Sequence, residues 1–188
     1  MNVKLQGLLN AARWVDQTYG PATLTDVRAR CSPAVCERLD SGIANTWHPF
    51  AEFVEFLTAT EEALGHRDGR IAEQIGIAAA RANLPQALVR MATYIARPEF
   101  LMRRIAGLWR QYNDEGEMRV LTFTERGAEI ELLGLSTSSW LFCCTLTGWS
   151  IEMARTVGFA SVMCKHAQCR GRGGARCLWR VQWATNHP

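Results

Sequence analysis

The chain has 188 residues, of which 48% are hydrophobic and 21% charged, with a formal net charge of +3. That length suits one domain or a compact pair of subdomains with a real core, and so small a charge does not by itself imply a nucleic-acid partner. No apolar run approaches the roughly 20 residues needed to cross a bilayer.

The opening stretch MNVKLQGLLNAARWVDQTYG is interrupted by Gln6 and Asn10 and lacks a small-residue cleavage site, so it does not read as a signal peptide. A cytoplasmic location is expected, where thiols stay reduced. Leu5, Leu8, Leu9, Ala12 and Val15 follow a helical stripe. Asn45 or Thr46 is expected to cap a helix carrying Trp47, Phe50, Val54 and Leu57, with Pro49 in its first turn and Gly65 at its end. Asp68 precedes a second stripe through Ile71, Ile75, Ala78, Ala79 and Ala82. Pro85 falls early in a third, with Leu88, Met91 and Ile95. A fourth helix is expected from Pro98 to about Tyr112.

Beyond Gly116 the hydrophobic period changes to two. Met118, Val120, Leu121 and Phe123, then Ala128, Ile130, Leu132 and Leu133, read as strands joined across Glu125-Arg126-Gly127. Ser138 or Ser139 opens a helix with Phe142, Leu146, Trp149 and Met153 that closes near Gly158. Ala160, Val162 and Cys164 precede a Gly-rich turn, and Cys177, Trp179, Val181 and Trp183 alternate after it. The expected fold is therefore α+β: a helical subdomain over residues 1–97, then a β-β-α-β-β antiparallel module over 98–188 with a bound metal, the two forming one compact unit.

Five of the seven cysteines lie in that module. His166 stands three residues before Cys169, and Cys177 eight after it, across a turn holding Gly171, Gly173 and Gly174. Thiolates with an imidazole suit zinc, and Cys143 can supply the fourth ligand. A zinc closed by Cys143, His166, Cys169 and Cys177 has no open position, so its expected role is structural. Cys144 or Cys164 could replace His166. Otherwise both read as buried core cysteines, as do Cys31 and Cys36.

The pattern of Cys143, Gly148 with an adjacent aromatic, the Cys169 and Cys177 pair around central glycines, and a hydrophobic residue just after resembles the 4-vinyl reductase domain family. Its relatives include effector-sensing regions of aromatic-responsive transcription activators. The resemblance spans about residues 98–183, including Leu108-Trp109-x-x-Tyr112 and Trp183. It implies a zinc on Cys143, Cys169, Cys177 and the position of His166, where those sensors use a carboxylate. Helical regions preceding such folds, and a related haem-based nitric-oxide sensing fold, suit the N-terminal part.

No catalytic set emerges, and an enzyme is not expected. CRGRGGARC does not open a helix after a strand, so it is no nucleotide fingerprint. Arg170, Arg172 and Arg176 read as a solvated hairpin tip. Glu61-Glu62 and Asp114-Glu115 read as exposed charges, and His48 as a helix-terminal or surface residue. His66 follows the expected C-cap Gly65, and His187 lies in the tail. Trp47, Phe50, Phe53, Phe56, Tyr94, Phe100, Trp109, Trp140 and Trp149 read as core. The expected function is a non-enzymatic, zinc-stabilised sensory domain of the 4-vinyl reductase type. It would bind a small hydrophobic ligand, form a homodimer and act through a protein partner. An adaptor module without a ligand and a haem-based gas sensor are the alternatives.

Overall fold

The computed structural model describes residues 1–83 and 98–184. The expected helix carrying Leu88, Met91 and Ile95 lies outside the described residues, as do Tyr94 and His187. In chain order the elements are β1 (Asn2–Lys4), α1 (Gln6–Tyr19), α2 (Pro21–Ala29), α3 (Pro33–Ser41), β2 (Trp47–Pro49), α4 (Phe50–Ala63) and α5 (Arg70–Asn83). After residue 97 come α6 (Pro98–Ala106), α7 (Trp109–Tyr112), β3 (Glu117–Thr124), β4 (Gly127–Leu133), α8 (Trp140–Thr156), β5 (Ala160–Gln168) and β6 (Cys177–Ala184). The fold is mixed α+β, with a helical N-terminal part and an antiparallel four-stranded sheet in the order β3-β4-β6-β5. No described helix is long and apolar enough to cross a membrane.

The apolar stripe of α1 behaves as its period dictates: Leu8, Ala12 and Val15 are buried, with Leu5 just before it. Pro21 and Pro33 open α2 and α3, where the missing N–H costs nothing. Ser32 caps α3 and Ser139 caps α8, each accepting from the backbone N–H three residues on.

Several local expectations are corrected. Trp47 does not begin a helix. Residues 47–49 form a short strand paired with β1, in register Val3 to His48, and the helix begins at Phe50. Trp47 is consequently exposed under the Lys4 ammonium, 4.0 Å from its ring centre, and His48 is carried inward to 2% exposure. The expected helix from Pro98 to Tyr112 is broken at Gly107-Leu108 into α6 and α7. Phe100 is exposed, not core. Glu61 is buried, its carboxylate accepting from the Gly69 and Ala72 N–H groups at the start of α5. That places a charge where the orphan donors and the helix dipole favour it.

The hairpin-tip arginines are also engaged. Arg170 donates to the Leu135 carbonyl, Arg172 lies 3.7 Å from the Trp140 ring centre, and Arg176 pairs with Glu131.

Helix α8 packs on β5 and β6 and, on its other side, against α5. The second crossing is close because Gly76 of α5 faces the Thr145 carbonyl and Gly148 of α8 faces the Glu73 carbonyl, so a Cβ at either has no room. An Arg81–Glu152 pair with two hydrogen bonds, 2.8 and 3.1 Å, ties the same two helices. Phe142 of α8 joins the helical part to the sheet part, meeting Phe50, Phe53 and Trp109 edge-on at 4.9–6.1 Å.

Candidate functional site

Two sites follow from this packing. The first is the thiol–imidazole cluster. Cys143 comes from the first turn of α8, His166 from β5, Cys169 from just after β5, and Cys177 from the first residue of β6. The turn between β5 and β6 returns the chain so that their ligand atoms all lie within 4.8 Å of one another. Cys143, Cys169 and Cys177 are buried, and the imidazole stacks on the Trp179 ring at 4.4 Å and 5°. Trp179 is itself fixed by donating its ring N–H to the Thr147 hydroxyl at 3.0 Å. His166 Nε2 is buried with no hydrogen-bond partner.

Cys143 and Cys177 sulfurs are 3.7 Å apart. Their contact couples the two thiols, pushing the Cys143 pKa up and the Cys177 pKa down, the latter also favoured by His166 and the Arg170 N–H. The four expected ligands are thus brought together, and Cys144 and Cys164 stand outside the group. Burial pushes both of those thiols to about 12, as expected of inert core cysteines. Burial likewise raises half-buried Cys31 to about 11.

The second site is a cavity of about 110 Å³ at the junction of β1, α1, α4, α5, α7, β3 and α8. Its lining is mainly apolar, with Val3, Phe53, Ile75, Leu108, Trp109, Met118, Phe142, Leu146 and Trp149, and with Lys4, Asn83, Tyr112, Asn113 and Thr145 as polar members. The sequence analysis expected a small hydrophobic ligand without naming the residues that would hold it. These residues come from seven separated elements, so no local spacing reports them.

No family model matches the sequence, and no curated protein matches it. Solved structures do match. An Fe(II) unliganded H-NOX protein mutant from K. algicida is 10% identical, with 97% of each chain covered and a TM-score of 0.71. An H-NOX protein from S. oneidensis in the Fe(II)NO ligation state is 11% identical over 95% of this chain and 98% of that one, TM-score 0.67. A third structure, described as modulating haem redox potential through protein-induced porphyrin distortion, is 11% identical over 96% and 99%, TM-score 0.62.

At such identities the likeness establishes the fold alone, and it corrects the expected family. The chain has the fold of H-NOX proteins, whereas the 4-vinyl reductase resemblance rested on motifs confined to the C-terminal half. The zinc-stabilised sensor of that type, and the structural zinc itself, are overturned with it. The matched structures carry Fe(II) or haem, and a cysteine–histidine cluster does not identify zinc.

Haem held by a histidine or a cysteine does not fit the residues present. Haem iron takes an axial ligand from histidine, cysteine, methionine or tyrosine. Of the chain's four histidines, His48 is buried against Glu52, His66 is exposed, His166 is in the thiol cluster, and His187 is in the tail. Neither histidine nor cysteine is among the cavity's lining residues, where Tyr112 and Met118 are the side chains of a ligating type, and the sequence from 84 to 97 contains no histidine or cysteine. A macrocycle of four pyrrole rings also exceeds a space of about 110 Å³. For scale, an apolar cavity of about 150 Å³ accepts benzene or xenon.

Proposed function

We propose that this chain is a sensory module built on the H-NOX fold that takes a gas or a small apolar molecule directly into its inter-element cavity and signals through a partner protein. The cavity carries this reading: its volume matches a gas or a ligand up to about benzene size, and its wall is largely apolar and aromatic. The Fe(II)NO state of the S. oneidensis structure, with a diatomic gas as ligand, favours the gas-sensing class over an adaptor. Histidine-held haem is not part of the proposal. Occupancy would act by changing how Phe142 packs between the helical part and the sheet part.

The test is an absorption spectrum of the purified protein, before and after incubation with haem, combined with thermal melting in the presence of xenon or benzene. No Soret band, and a rise in Tm that Ala79→Leu removes by filling the cavity, is the expected result. A stoichiometric Soret band, or no shift with either ligand, would overturn it.

We further propose that Cys143, His166, Cys169 and Cys177 hold one thiolate-binding metal ion. Ligand atoms about 2.0–2.3 Å from a tetrahedral ion lie roughly 3.3–3.8 Å apart, and the 3.7 Å between Cys143 and Cys177 fits that spacing. The buried, unpartnered His166 Nε2 is the second support. Metal analysis of protein purified without added metal should give about one ion per chain, lost in Cys177→Ser. Absence of stoichiometric metal in the unaltered protein would remove this site, and the analysis itself identifies the ion.

A further inference from the structure

Two side-chain amides line the inter-element cavity, Asn83 at the end of α5 and Asn113 just after α7, and each has only half of its hydrogen-bonding capacity in use. Asn83 Oδ1 accepts from Gln6 Nε2 at 2.9 Å and from Asn10 Nδ2 at 3.1 Å, both on α1. Its own amide hydrogens have no acceptor among the described residues. For Asn113 the roles are reversed. Its Nδ2 donates to the Trp109 carbonyl at 3.2 Å, and its Oδ1 has no donor among the described residues. The wholly buried side-chain atoms that lack a partner are elsewhere, at Arg38, His48 and His166. Asn83 Nδ2 and Asn113 Oδ1 therefore keep some accessible surface, although Asn113 as a residue is buried.

Buried amides ordinarily complete their hydrogen bonds, and an apolar pocket uses a few such groups to orient what it binds. Charge is the other constraint. Lys4 is the one charged residue among the described lining residues, and its ammonium is held at the surface by the Asn45 carbonyl at 2.8 Å and the Trp47 ring. The cavity offers no free countercharge, so an ionised ligand would lose its hydration there without compensation.

We propose that the cavity selects a small neutral molecule with an apolar body and one hydroxyl, such as a phenol or a short-chain alcohol. The hydroxyl oxygen can accept from Asn83 Nδ2, and its hydrogen can be donated to Asn113 Oδ1. A hydrocarbon of the same size uses neither amide. The bonds already made to Gln6, Asn10 and the Trp109 carbonyl hold both amides in place, so little ordering remains to be done on binding. This inference rests on the cavity reading and narrows the ligand within it.

The test compares phenol with benzene, which share an apolar body and differ in the hydroxyl, by calorimetric titration of the full chain at neutral pH. Phenol should bind about three- to tenfold tighter than benzene, the advantage of a net hydrogen bond or two. Asn83→Leu and Asn113→Leu, near in shape to asparagine, should each reduce that advantage and leave benzene binding unchanged. In Asn113→Leu the Trp109 carbonyl still has the backbone N–H of residue 113, 3.0 Å away. Should one variant not fold, the other decides the question. Ala79→Leu, which fills the cavity, should abolish binding of both ligands. Benzene bound as tightly as phenol, or a phenol advantage that survives in the amide variants, overturns this inference and leaves the cavity reading standing. Binding of neither ligand overturns both.

Discussion

Because β2 pairs with β1 above α4, the His48 imidazole is almost wholly removed from solvent, with Nδ1 3.1 Å from Glu52 and Nε2 buried without a partner. Desolvation lowers its pKa below 6.5, outweighing the opposing pull of Glu52. The native state therefore holds a neutral ring, while the unfolded chain binds a proton more readily below about pH 6.5. His48 should contribute stability that is complete above about 6.5 and lost as pH falls toward its lowered native value. Urea unfolding of the wild type should show stability declining from pH 7 toward 5.5. His48→Phe should flatten that slope while changing stability at pH 7.5 by no more than about 1–2 kcal/mol. An unchanged slope in the variant would exclude His48 as its source. The same residue shows a limit of sequence reading: Trp-His-Pro-Phe resembles a helix start, and only the pairing with a strand some 45 positions away buries the ring.

Helices α5 and α8 approach through paired glycines, and this crossing sets one wall of the cavity, since Gly76, Thr145, Leu146 and Trp149 all line it. An alanine at 148 would gain about 1 kcal/mol of helix propensity. Its methyl would also be driven into the Glu73 carbonyl, and overpacking of this kind costs about 1–3 kcal/mol, occasionally more. The net effect of Gly148→Ala should be destabilisation of up to about 2 kcal/mol, read as a lower urea midpoint at unchanged slope. A midpoint equal to or above the wild type would show that the helices can separate at little cost. Both helices were legible from their 3.6-residue stripes, as were β3, β4 and β6 from alternation. The reason for glycine at 76 and 148 was not, because it lies in the partner helix's backbone. The short strands β1 and β2 were missed for a related reason: three residues carry too little periodicity to announce a strand.

At the scale of the whole molecule, the sequence correctly indicated a helical part followed by an antiparallel sheet with a helix against it. It also grouped Cys143, His166, Cys169 and Cys177, with Cys144 or Cys164 left open in place of His166, because the Gly-rich turn between β5 and β6 returns Cys177 toward His166 and Cys169. Family assignment failed because those motifs encode one local geometry, whereas the H-NOX likeness spans 95–97% of this chain at 10–11% identity in the K. algicida and S. oneidensis proteins. The cavity stayed hidden because its walls meet only when the helical part closes on α7 and α8.

The sheet order β3-β4-β6-β5 leaves two borders with different fates. β3 has α6 lying against it and a guanidinium on the Val120 carbonyl. Among the described residues no strand lies beyond β5, yet its ladder with β6 slips twice, between Ala160 and Met163 and between His166 and Gln168, and it carries Lys165 between the slips. Irregular, charged borders of this kind blunt the template that an open strand offers to another chain. The molecule is thereby protected from growing its sheet into stacks, and two copies would have to meet through surfaces other than a shared ladder.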